Sequence, residues 1–182
     1  MQKVKYIAIM SAIVLVTAGG YFLLHKEQNG GRNTFAFEPT ATPDPGLMSG
    51  YKRYTNEDYG FSFQYPEDFT VNAFGAEKEG NMILVQGKGE NGFQIYITDF
   101  DEDIPVITAA RVHKDLPSLA IEQPQEAVLG ADLHALIFWS QNPEIGKTRE
   151  VWIVHEGAVY QITAPAAFDT KLAKIVGTWK FE

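Results

Sequence analysis

Cysteine is absent from the 182-residue chain. That absence removes several chemistries together: disulfides, thiolate metal sites, cysteine nucleophiles and a lipid carried on a cysteine. It also leaves the redox compartment unmarked. Positive charge is scarce as well. Fifteen Lys and Arg stand against 23 Asp and Glu, a formal net charge of −8. Phosphate binding needs clustered cations, so the charge balance argues against nucleic acid as a partner. No serine sits in a G-x-S-x-G elbow and no H-E-x-x-H occurs, so two common hydrolase signatures are missing. Asp and Glu are too numerous for an acid–base pair to be nominated from spacing, and no catalytic residue is assigned. Apolar residues are plentiful. They make up 45% of the chain against 21% charged, close to globular averages and enough for a packed core.

The one long uncharged stretch runs from Tyr6 to Leu24, behind Lys3 and Lys5 and ahead of His25-Lys26-Glu27. A spanning helix needs about 20 mostly apolar residues, and residues 6–24 meet that length. Residues 1–24 are therefore expected to be a membrane anchor, with the basic end in the cytoplasm by the positive-inside rule. The alternative is a cleaved secretory signal, for which Val16-Thr17-Ala18 offers a small-residue cleavage site. Tyr21-Phe22-Leu23-Leu24 carries the apolar run past that site. Either way the rest of the chain is exported: a single-pass protein with its C-terminal domain outside the cytoplasm, or a secreted one. Residues 25–50 read as a linker, because HKEQNGGRNTFAFEPTATPDPGLMSG has neither helix nor strand period. Pro39, Pro43 and Pro45 favour extended, semi-rigid chain there.

Residues 51–182 read as one α+β domain. Tyr59–Tyr65 and Phe69–Phe74 alternate apolar and polar with the period of half-buried strands, and Asn81–Gln86 and Phe93–Asp99 follow. A short helix is expected from a Thr108 cap to Leu116, with Ile107 and Val112 as a hydrophobic staple. Leu133–Ser140 is apolar on both faces, which predicts a central strand. Thr148–His155 and Ala158–Ala164 form a hairpin around Glu156-Gly157. Leu172, Ile175, Val176 and Trp179 line one stripe of a last helix that Asp169 is expected to cap, with Lys171, Lys174 and Thr178 turned away. The pattern is an antiparallel sheet packed with helices, without the β-helix-β alternation of a parallel nucleotide-binding sheet.

Two segments carry a family resemblance. YTNEDYGFSFQYP (Tyr54–Pro66) resembles the opening of PsbP-like domains, a turn followed by an aromatic strand ending in Tyr-Pro. REVWIVHEGAVYQITAPAAFDTKLAKIVGTWKF (Arg149–Phe181) is similar to the end of bacterial PsbP-related proteins: aromatic strand, tight turn, strand with Tyr, amphipathic helix. The resemblance implies a PsbP-like α/β/α sandwich and an exported binding or assembly module without known catalysis. It carries no functional residue across, because the matching positions read as core and turn.

Candidate chemistry is thin. Gly87-Lys88-Gly89-Glu90-Asn91-Gly92 matches G-x-G-x-x-G, but a strand follows where phosphate binding needs a helix N-terminus, so a hairpin loop is expected. Asp99, Asp101 and Asp103, with Glu102 between, are the densest acidic group and the candidate ligands for calcium or another divalent cation. An EF-hand would want Gly and Glu where Ile104 and Ala110 stand. His113, His134 and His155 fall on three separate elements, short of a zinc set unless the fold gathers them. Trp139, Trp152, Tyr160 and Trp179 read as core rather than pocket lining. The expectation is a non-catalytic, membrane-tethered extracytoplasmic binding or assembly module with a protein partner in the cell envelope. The alternatives are a small-molecule or metal (calcium, manganese, zinc) binding domain and a hydrolase with dispersed residues.

Overall fold

The computed structural model describes residues 46–76, 80–89, 91–129 and 132–182. The expected anchor at 1–24 and the linker up to residue 45 lie outside the described residues. Among those described, no helix is long and apolar enough to cross a membrane.

Ten strands and two helices follow in chain order: β1 (Tyr51–Asn56), β2 (Phe61–Pro66), β3 (Thr70–Ala76), β4 (Gly80–Gln86), β5 (Gly92–Asp99), α1 (Ala109–Asp115), β6 (Glu122–Leu129), β7 (Leu133–Asn142), β8 (Gly146–His155), β9 (Ala158–Pro165), α2 (Asp169–Val176) and β10 (Lys180–Phe181). Seven form one sheet in the order β3-β4-β5-β9-β8-β7-β6, and three form a small one, β1-β2-β10. Every pairing is antiparallel. The α+β reading therefore stands.

Side chains alternate across a strand, so each face of the large sheet needs its own cover. One face presents Phe93, Ile95, Ile97, Val151, Ile153, Tyr160 and Ile162, and packs against Phe61 and Phe63 of β2 and Leu172, Ile175 and Val176 of α2. Trp179 fastens these parts. Its ring stacks on Phe61 at 4.5 Å and 8° and on Phe63 at 5.4 Å, and meets Tyr160 edge-on. The other face is covered over β7, β8 and β9 by an arm spanning residues 100–121. Phe100, Ile107 and Val112 close there on Leu136, Phe138, Trp152 and Val159.

Local rules place most of this. Thr108 caps α1, its Oγ1 accepting from the Arg111 N–H at 3.2 Å, and the staple residues Ile107 and Val112 are both fully buried. Glu156 and Gly157 take φ of 44° and 77°, the paired positive values of a tight hairpin turn. The Gly87–Gly92 motif is the β4–β5 hairpin. A Cβ on Gly92 would sit 2.4 Å from the Val85 carbonyl oxygen, so that position admits only glycine.

Four expectations are corrected. Asp169 is the first residue of α2 rather than its cap, because a 3-10 turn over Ala166–Phe168 feeds the helix and Phe168 holds the cap position. The helix ends at Val176, and Trp179 lies beyond it. Thr178 faces inward: its Oγ1 accepts from the Gln64 N–H at 2.8 Å. β7 is next to the edge strand β6, and the middle strand is β9. β7 reads as central because the α2 side and the α1 arm cover both its faces.

Trp179→Ala removes the ring that joins β2, α2 and β9. It should cost about 3–5 kcal/mol in urea unfolding, the range for large aromatic deletions in a core. Phe181→Ala, at a half-buried position on the rim of the same cluster, should cost clearly less. Equal losses for the two would contradict this packing.

Candidate functional site

The residues nominated from sequence do not converge. Among the described residues, no group of three or more His, Asp or Glu side chains lies close enough to hold a metal ion. Asp99 ends β5, and Asp101 and Asp103 follow on the arm, all three exposed. The chain leaves the strand at Asp99, so their alternate spacing no longer puts them on one side. Glu102 is engaged elsewhere. The Arg111 Nε lies 3.0 Å from each of its oxygens, and Arg111 also pairs with Asp115. The hydrogen bond from Arg111 holds the Glu102 carboxyl below its ordinary value. His113 is exposed on α1, His134 is exposed on β7, and His155 stacks on Phe181 at 3.7 Å. Trp152, Tyr160 and Trp179 are core, as expected. Trp139 is not: it is half-buried beneath Arg149, whose guanidinium carbon lies 3.5 Å from the ring centre while its Nε donates to Asp169 at 2.7 Å.

A different group does converge, on the α1 side of the large sheet. Six polar side chains are buried among the described residues, and four of them lie there: Ser140, Thr148, Glu150 and Gln161. Strand register makes them neighbours. Ser140 is opposite Thr148, Glu150 is opposite Thr163, and Trp152 is opposite Gln161. Cross-strand partners of this kind have Cβ atoms about 4.5–5.5 Å apart.

Glu150 is the centre of the band. Thr148 Oγ1 donates to its Oε1 and Thr163 Oγ1 to its Oε2, each at 2.7 Å. Burial outweighs these bonds and pushes the carboxyl up to about 7. The Trp152 indole N–H also favours the charged form, yet it closes no hydrogen bond of ordinary geometry. Near the carboxyl, Ser140 Oγ, Trp152 Nε1 and Gln161 Nε2 are buried without a protein hydrogen-bond partner, and Thr98 Oγ1 is in the same condition farther along the face on β5. Buried polar atoms of this kind are commonly met by a bound water, an ion or a partner. Chemically the band offers a carboxyl that exchanges its proton near neutrality, and donors still to be matched by acceptors.

The face grades from the buried band towards its exposed end. On it β3, β4 and β5 present the buried Leu84, the half-buried Met82, Gln94 and Tyr96, and the exposed Phe74, none of which joins the core beneath the arm. Phe74 is 50% exposed. Sequence reasoning passed over Glu150 as one more acidic residue. A signal was present: in Glu150-Val151-Trp152-Ile153 both strand faces are apolar, so the glutamate has no solvent face to occupy.

No protein-family model matches the chain, and no curated protein sequence matches it. Among solved structures, the chain is similar to cyanobacterial PsbP (CyanoP) from Synechocystis sp. PCC 6803. That match has a TM-score of 0.51 at 10% identity, and covers 80% of this chain and 100% of that one. The fold is PsbP-like. A Bacteroides thetaiotaomicron protein, 14% identical with a TM-score of 0.47, covers 73% of this chain and 49% of that one; no argument rests on it. At such identities the PsbP likeness speaks for the fold alone.

Glu150 gives the PsbP-like domain a defined pH response. The folded chain binds this proton more tightly than the unfolded chain, where the value is the ordinary 4.5. Its contribution is full below pH 4.5 and is lost as pH rises through about 7. Glu150→Gln, neutral throughout, should match the parent near pH 4.5 and exceed its stability at pH 8 by roughly 3 kcal/mol. Urea unfolding at both pH values measures it, and an identical pH slope in the two proteins would refute the assignment.

Proposed function

We propose that this chain is a non-catalytic, PsbP-like binding or assembly module, held at the outer face of a membrane by the uncharged stretch Tyr6–Leu24. Its recognition surface is the α1 side of the large sheet, where it docks a protein partner of the cell envelope. One observation supports the proposal: the buried polar band at Glu150 continues from Gln161 across the sheet through the half-buried Tyr96 and Met82 to Phe74, which is 50% exposed. Interfaces combine an aromatic-rich centre with a polar rim, and this face sets Phe74 and Tyr96 beside the polar Gln94. Among the described residues the core under the arm draws on β7, β8 and β9 and takes no residue of β3, β4 or β5.

The absence of catalysis has its own support. Both Glu150 oxygens are taken by threonine hydroxyls. A general base needs its proton donor within reach, and a hydroxyl that already donates to a buried carboxyl inside a sheet gives a substrate no room. A metal function for Asp99, Asp101 and Asp103 would need those side chains brought together by the ion itself, so we rank it below the protein-docking reading.

The test is site-specific photocrosslinking in intact membranes, with the full chain carrying a photoreactive residue at Gln94 or, as control, at Lys52 on exposed β1. Gln94 should yield a discrete adduct with another envelope protein, and Lys52 should not. Adducts of equal yield at both positions, or none at Gln94, would overturn the docking surface.

A further inference from the structure

The large sheet has two edges, and they are built differently. β6 is defended. It reads EQPQEAVL, with Glu122, Pro124 and Glu126, and its register with β7 breaks between Glu122 and Gln125, where Gln123 takes a φ of 50°. Charges, proline and bulges are the means by which native edges refuse another strand. β3 has none of them. It reads TVNAFGA, seven residues without a charge or a proline, in continuous register with β4 from Thr70 to Ala76. Asn72, Ala73, Phe74 and Gly75 are all exposed.

We propose that β3 pairs antiparallel with β3 of a second copy of this chain, joining two seven-stranded sheets across a two-fold axis. Three features select a second copy over another partner. Antiparallel pairing about a two-fold asks a strand to complement itself, and a register centred on Phe74 sets Phe74 against Phe74, Ala73 against Gly75 and Asn72 against Ala76. No bulky residue meets another there except the two aromatic rings, and aromatic cross-strand pairs stabilise sheets. A chain of net charge −8 resists meeting its own copy, yet this strand brings no charge to the meeting. Each Phe74 already ends the row Phe74–Met82–Tyr96, so pairing joins two rows into one and covers the most exposed ring of the described domain. This proposal is independent of the docking of a different protein at Gln94, which sits two strands inward.

The cysteine-free chain makes the test clean. Single-cysteine variants of the full chain, Phe74→Cys, Asn72→Cys and Val128→Cys, are oxidised in membranes with copper-phenanthroline. Directly opposed antiparallel residues have Cα atoms about 4.5–5.5 Å apart, within disulfide range. In the proposed register the two copies of residue 72 lie four residues apart along the pair, about 13 Å. Phe74→Cys should therefore give a disulfide-linked species of twice the chain mass, at least tenfold above Asn72→Cys and above Val128→Cys on the defended edge. Similar yields at all three sites, no dimer at Phe74→Cys, or a product joined to a different protein would each overturn it. An unchanged melting temperature for Phe74→Cys shows that the variant reports on association rather than misfolding.

Discussion

The stack of Trp179 on Phe61 and Phe63, closed from the side by Tyr160, is the interaction on which the rest of the structure depends. It joins the small sheet, the last helix and the middle strand of the large sheet, three parts of the chain that share no strand pairing with one another. With one face of the large sheet sealed in this way, the other face needs only a partial cover. The arm over residues 100–121 supplies that, pinned by Arg111 between Glu102 and Asp115 and by the Phe100 amide on the Gly157 carbonyl at 2.7 Å. The two faces therefore have different consequences. The aromatic face is closed, and the α1 face carries the buried polar band and ends at the exposed Phe74 on β3.

That asymmetry explains why a buried carboxylic acid is tolerated. An isolated Glu in an apolar interior would be severely destabilising unless neutral or hydrogen-bonded. Glu150 has two hydroxyl donors and a proton affinity raised towards neutrality, so it survives in either state at a moderate cost. Trp152, Gln161 and Ser140 keep unmatched atoms beside it. Perturbed carboxyls of this kind are often found at functional sites.

Much of the fold was legible in the sequence. β2, β4, β5, β8 and β9 follow apolar alternation, the Thr108 cap and its staple follow helix-end chemistry, and Glu156-Gly157 marks its hairpin. The PsbP-like resemblance of Tyr54–Pro66 and Arg149–Phe181 agrees with the architecture. Three strands escaped for physical reasons. β1 is mostly exposed and carries Lys52 and Arg53, β6 is an exposed edge interrupted by Pro124, and β10 has two residues. Such strands exist because a neighbour offers hydrogen bonds, which no local pattern records. The candidate site was nearly illegible. Its members come from β5, β7, β8 and β9, and only the register that sets Trp152 against Gln161 and Glu150 against Thr163 brings them together. The acidic loop was conspicuous in sequence, but its one half-buried carboxylate, Glu102, is engaged in holding the arm.

Glu150 is a desolvated carboxyl at the centre of a buried polar band. The most direct measurement is the carboxyl 13C chemical shift of Glu150 in the full chain, followed from pH 3 to pH 9 and assigned by its disappearance in the Gln variant. The account predicts a midpoint of about 7. A midpoint at the ordinary 4.5 would mean that the carboxyl is solvated, and the buried polar band would not exist as described.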